Sequence, residues 1–297
     1  MSSWKLLNSL IVFWNAVENP VFLRTTRYPP VWYDVYARLV NASGFMLVAG
    51  GLSCYLITLA AFYLNSLLVL LIPLMLLWTL LIGVTVAPVV VGERERRTWE
   101  TLLTTPLSIE SILLGRASGA LWWLRDVIRI MMGLLVLSAV AIGLVGLILT
   151  PAGSGADPHA LPSSVLCAAT LIVPLAAAAL FVIDRAQYFV LTVVAALAAS
   201  TTTTTNRAAL SAASTAAFAT WLVDAGIAAM ALVLLPGNAI TRTSGDTLAL
   251  ATLGPFVGFM AELSLGKLAL FAAMTLLIRE ILVRILWRWT LHRARAV

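Results

Sequence analysis

The chain has 297 residues, of which 61% are hydrophobic and 11% charged, with a mean hydropathy of +1.00. A soluble domain of this length cannot hide so much apolar surface, and long uncharged runs point to an all-α, polytopic helical membrane protein. The runs are continuous where β-barrel spans would alternate, and the net charge of +6 suits basic segments facing anionic lipid better than nucleic acid.

Residues 1–40 are read as a cytoplasmic interfacial segment. Within 4–18, Leu6, Leu7, Leu10, Ile11, Phe13, Trp14 and Val17 share one broad arc, and Lys5, Asn8, Ser9, Asn15 and Asn19 take the other. Such a helix lies either on the membrane or against the protein's own core. Asn19-Pro20 ends it.

Apolar runs follow at about 42–64 and 67–90, with only Asn65-Ser66 between them, which implies a tight hairpin. A charged block occupies 92–105. Ser108 and Glu110 suit the start of a new helix, because a hydroxyl caps free amides and an acid favours the N-terminal dipole. That helix is expected to pass Arg116, Arg125, Asp126 and Arg129 into a run at 130–149. A Gly/Pro/Ser loop at 150–163 leads to runs at 164–183 and 187–204, divided by Asp184-Arg185. The tract Thr201 to Thr205 separates these from 208–235, and a last run covers about 265–283. Residues 279–297 read as a basic cytoplasmic tail carrying Arg279, Arg284, Arg288, Arg293 and Arg295.

The concentration of basic residues places the N-terminal segment, the 92–129 region and the tail in the cytoplasm. Two cytoplasmic ends require an even number of spans, and seven apolar runs are present. Six transmembrane helices result if 164–183, which contains Pro174, fails to cross. Sixteen of the nineteen basic residues are then cytoplasmic. Eight spans, with one more between 236 and 262, is the alternative.

Read as one helix, the charged block sets Glu93, Arg96, Arg97, Glu100, Thr101 and Thr104 on one side and Trp99, Leu102 and Leu103 on the other. Glu93 to Arg97 and Arg96 to Glu100 are spaced for ion pairs along it. An exposed Trp-Leu-Leu ridge needs a partner surface or lipid.

At Glu93, Arg94, Glu95, Thr98, Glu100, Leu102, Leu103, Pro106, Leu107 and Ser108 the chain resembles the membrane subunits of ATP-binding-cassette (ABC) transporters of the type-2 permease family. That family carries Glu-Arg-Glu-x-Gly-Thr-x-Glu-x-Leu-Leu-x-x-Pro-Leu-Ser between its second and third spans. Arg97 stands where the family usually has Gly, which suggests a stiffer helix. The segment Asn19-Pro20-Val21-Phe22-Leu23-Arg24 is similar to the one before the family's first span, with Thr25 where an acid is common. The specific likeness covers about 30 residues, the remainder agreeing only in the number and order of spans.

The resemblance implies a single permease domain over 1–297 in the plasma membrane, the bacterial inner membrane for a bacterial chain. The coupling region is 92–118, with Glu93, Arg94, Glu95, Arg96, Arg97, Thr98, Trp99, Glu100, Leu102, Leu103 and Pro106 as its contact residues. It would dock on a separate ATPase subunit that binds ATP and Mg, beside a second permease subunit, the same or different. Export is the family's more common direction. The alternative is a non-transporting membrane scaffold that anchors a soluble partner.

No catalytic or metal site is expected in this chain. Gly266-Lys267 lacks the flanking residues of a phosphate loop, His159 and His292 stand alone, and His-Glu-x-x-His and Gly-x-Ser-x-Gly are absent. Cys54 and Cys167 lie within apolar runs and suggest neither metal nor disulfide. Asp224 is the one acid well inside an expected span, so it should face a partner, a cavity or a path. Asp184-Arg185 is read as a local pair at a surface. Trp122, Trp123, Trp287 and Trp289 are read as an interfacial belt.

Overall fold

A computed structural model describes residues 2–15, 21, 71–125, 128, 163–234 and 265–296. The expected spans at 42–64 and 130–149, the Asn65-Ser66 hairpin and the loops at 150–162 and 236–262 lie outside the described residues. Among those described the fold is all-α, with no strand. The helices are α1 (Ser3–Asn15), α2 (Leu71–Val86), α3 (Pro88–Glu95), α4 (Trp99–Leu103), α5 (Ile109–Trp122), α6 (Ser163–Thr202), α7 (Asn206–Leu234) and α8 (Leu265–Ala296).

α6 is the axis of the bundle, packed by α2, α7, α8, α1 and the charged α3. From Asp184 to Thr201 every residue except Gln187 is buried. The Ala- and Val-rich sequence of this stretch has no polar stripe to turn outward, which is what a helix surrounded on all sides needs. At 1.5 Å per residue its 40 residues extend about 60 Å, twice the thickness of a bilayer's hydrocarbon. The expected division at Asp184-Arg185 is therefore corrected: 164–183 and 187–204 are one helix. A charged dipeptide does not interrupt a helix whose backbone bonds are complete.

α7 turns back along α6. Its inner stripe is Ala209, Ala213, Ala217, Thr220, Asp224 and Ile227, spaced three or four apart. Small residues let α2 approach closely: a Cβ on Gly83 would stand 3.2 Å from the Ala217 Cβ and 3.3 Å from the Ala213 carbonyl oxygen. The outer face carries Leu210, Phe218, Leu222 and Val223, all exposed. α8 has an inner stripe of Leu268, Phe271, Ala272, Thr275, Arg279, Val283, Trp287, Thr290 and Ala294. Two segments among the described residues, Ala179–Thr202 and Asn206–Ile227, are long and apolar enough to cross a membrane.

α1 packs on α5 and α6, with Leu6 and Leu10 in the core and Trp4 62% exposed. Of the two placements open for this helix, packing against the protein's own core is the one observed. Trp287 is 1% exposed and belongs to the core as well, so it is no part of an interfacial belt. Arg279 is 0% exposed, so the inner helix face extends past the start of the expected basic tail.

Candidate functional site

Two groups of buried charge stand out, one at an elbow between helices and one within the bundle.

The elbow is built from α3, α4 and the turns around them. Pro88 opens α3 at a position where a missing amide does no harm. The Val90 amide, free in the first turn, donates to the Ser200 hydroxyl of α6 at 3.1 Å. α3 ends at Glu95, and Arg97 adopts φ 56°, the left-handed region. The Arg97 amide closes onto the Arg94 carbonyl at 2.9 Å and the Thr98 amide onto the Glu93 carbonyl at 2.9 Å. Residues 92–105 are thus not the single helix expected: a turn at Arg96-Arg97 rotates α4 away from α3. The anticipated pairs Glu93–Arg97 and Arg96–Glu100 lose their common helix. Ser108 caps α5 as expected, accepting from the Ser111 amide at 3.2 Å, with Glu110 in the first turn.

The rotation sends the apolar ridge inward. Trp99 is 2% and Leu102 7% exposed, both in the core, and Leu103 packs partly against it. The expectation of an exposed Trp-Leu-Leu ridge is corrected. What faces outward is Glu95, Arg96, Arg97, Glu100, Thr101, Thr104, Pro106 and Ser108.

The Glu-Arg-Glu run is spent on contacts within the chain, with Glu93 buried, Arg94 half-buried and Glu95 exposed. Glu93 is buried and pairs with the buried Arg116 of α5, while the Thr98 hydroxyl donates to the same carboxylate. Arg94 donates to the carbonyls of Thr203 at 3.1 Å and Thr201 at 3.2 Å, groups left free where α6 ends. Partial burial pulls the Arg94 guanidinium below its ordinary pKa. Glu95 accepts from the Asn206 amide at 2.8 Å and from its side-chain amide, so a carboxylate sits at the first turn of α7. Three consecutive charges therefore fasten α3 to α5, to the end of α6 and to the start of α7. The Thr tract does end a helix: the hydroxyls of Thr201 and Thr202 bond back to the carbonyls of Ala198 and Ala199, both at 2.8 Å.

The second group joins α6, α7 and α8. Arg185 donates to Asp184 from Nη2 at 2.8 Å and from Nε at 3.1 Å, and its Nη1 stands 3.1 Å from Asp224. Arg279 pairs with both Asp184 and Asp224 and donates to the Asp184 main-chain carbonyl at 2.9 Å. Guanidinium groups lie over aromatic rings: Arg185 is 5.3 Å from the Tyr188 centroid and 5.7 Å from that of Phe181, and Arg279 is 5.8 Å from Tyr188. Two acids and two bases cancel, which makes the burial tolerable. Asp184-Arg185 is therefore not a surface pair, and Asp224 faces partners on its neighbours.

Sequence reasoning found Asp224 and the Glu-Arg-Glu run but missed Arg116, Asn206, Asp184, Arg185 and Arg279 as their counterparts. One signal was present. Phe271, Thr275, Arg279, Val283 and Trp287 recur every four residues, so Arg279 lies on an otherwise uncharged helical stripe. Among the described residues no group of His, Cys, Asp and Glu could hold a metal.

Comparison with protein-family models, with curated proteins and with solved structures finds no match to this chain.

Proposed function

We propose that this chain is the membrane-spanning permease subunit of an ATP-driven ABC transporter, working with a separate ATPase and a second permease subunit in a plasma membrane. The reading rests on the resemblance at 93–108 and on one observation: the elbow is tied to three helices by Glu93, Arg94 and Glu95. A load applied to α4 would pass into α5, α6 and α7 through buried or terminal contacts, as rigid-body coupling requires. Export is taken from the resemblance, and ATP and Mg belong to the partner.

Six spans accord with this reading. Joining 164–183 and 187–204 into α6 leaves six apolar segments from seven, an even number, without dropping any. The contacts of Arg94 and Glu95 hold the α6–α7 turn beside the charged block, which supports a shared cytoplasmic side.

The docking surface in this proposal is polar. Because Trp99 and Leu102 are interior, a partner meets Arg96, Arg97, Glu100, Thr101, Thr104 and Pro106. Charged groups of this kind set register and encounter rate more than raw affinity. The same burial favours a second reading, a membrane scaffold that holds a soluble protein weakly and transports nothing.

The test is co-expression with a candidate ATPase, comparing wild type with Arg97→Glu and Glu100→Lys. Loss of the complex and of ATP-linked transport in vesicles, with the chain still folded, supports a permease. Binding of the partner with no ATP-linked transport supports the scaffold. Unchanged binding and hydrolysis in both variants removes the elbow as the coupling surface. Leu102→Asp would report on folding, since that side chain is in the core.

A further inference from the structure

The exposed side of α8 changes character along its length. At 100° per residue, Leu270, Leu277, Ile281 and Ile285 fall within an arc of roughly 20° to 100° from the direction of Arg284. These four are 59%, 60%, 48% and 59% exposed, so an apolar rail runs outward along about four turns of helix. Past Ile285 the same arc carries Arg288, His292 and Arg295, all exposed. Arg284, at the crossover, is neutralised by Glu280 at 2.7 Å. Glu280 also accepts from the Ser3 amide at 3.1 Å, which holds the N-terminus of α1 against α8 at this level. Trp4, exposed, and Trp289, 40% exposed, therefore flank the crossover, and Arg293 lies 5.7 Å over the Trp289 ring.

We propose that this face of α8 binds anionic phospholipid, with acyl chains along Leu277, Ile281 and Ile285 and the headgroup phosphate on Arg288 and Arg295. Charge complementarity selects the occupant. The basic segment follows directly on a lipid-compatible surface, and the one acid on α8, Glu280, is already paired. The dimensions are compatible: Arg288 to Arg295 spans about 10 Å of helix, enough to cross one headgroup layer of roughly 5–8 Å. Tryptophan at both flanks is what that layer attracts. The site depends only on the chain being embedded in a membrane. It stands or falls separately from the assignment of an ATPase partner.

Full-length protein, purified in detergent and offered phosphatidylglycerol or phosphatidylcholine in mixed micelles, tests it by native mass spectrometry of retained lipid. Wild type should retain phosphatidylglycerol in preference. Arg288→Gln and Arg295→Gln should each lower that preference about fivefold, the factor corresponding to about 1 kcal/mol per basic residue near an anionic surface. Arg288→Lys and Arg295→Lys should keep it, because the attraction needs charge more than a guanidinium fork. Monodispersity and helical content serve as folding controls for each variant. Equal retention of the two lipids by wild type overturns the proposal, as does a preference that survives both glutamine substitutions. Arginines protected only by a soluble protein, with no lipid preference, overturn it too and assign the surface to that protein.

Discussion

The elbow and the bundle interior both bury charge, but they satisfy it by different means. At the elbow, Arg94 and Glu95 reach helix termini, where backbone carbonyls and amides are free. Within the bundle, Asp184, Arg185, Asp224 and Arg279 sit in mid-helix, where backbone amides and carbonyls are engaged in the helix, and apart from the Arg279 bond to the Asp184 carbonyl charges answer charges. At the elbow, Glu93 and Arg116 form a buried ion pair of the second kind. The partly open charges Arg94 and Glu95 are thus met by helix ends, whereas the fully buried charges are met by opposite charges.

The sharpest way to break that comparison is at Asp224. Removing it as Asp224→Ala leaves one acid facing two buried guanidinium groups. Loss of one partner from a buried ion pair costs about 3–5 kcal/mol, much of it for the stranded charge. Thermal unfolding in detergent should show a large loss for the single variant. The double variant Asp224→Ala with Arg279→Met should be much milder, because Asp184 and Arg185 remain as a neutral pair on α6. A double variant as damaged as the single one would mean that the four charges act as packing volume, with their balance irrelevant.

The two regions also differed in how legible they were. The Glu-Arg-Glu run and the Ser108 cap could be read because their residues are close in sequence and their roles are tied to helix ends. The direction of the ridge could not be read. One residue, Arg97, leaves helical φ, and a helical wheel drawn across that point assigns Trp99 and Leu102 to the wrong environment. The interior cluster is assembled from positions 184, 185, 224 and 279 on three helices. No local pattern pairs such residues. Asp184-Arg185 misled in a second way, since a charged dipeptide between apolar runs resembles a loop until partners elsewhere neutralise it. The all-α class followed from composition and the long uncharged runs, and the division of the stretch that forms α6 turned on that one dipeptide.

A smaller effect is expected at Glu93. Glu93→Gln removes the anionic partner of Arg116, but the elbow borders water and free backbone groups, so the loss should fall near the lower end of the range, about 3 kcal/mol. Its reach should differ as well. Because the elbow lies at helix termini, protease sensitivity within 92–108 should rise more than global unfolding temperature falls. If the two measurements shift together, the elbow and bundle form one cooperative unit and the contrast between them is energetic only.

The smallest expected effect is the most specific. Arg97 holds φ 56°, a conformation costing a non-glycine residue roughly 1–2 kcal/mol. Glycine avoids that strain but enlarges the conformational freedom of the unfolded chain, which offsets roughly half. Arg97→Gly should therefore stabilise the protein by about 0.5–1 kcal/mol, read as a small rise in unfolding temperature. The expectation that Arg stiffens a helix here gives the opposite sign: within a helix, glycine would cost about 1 kcal/mol. The type-2 permease pattern has Gly at this position, and a left-handed turn supplies a physical reason for it that a continuous helix does not. A rise in stability would support the turn and the inward ridge together. A fall would restore the continuous helix and return Trp99 and Leu102 to the outside.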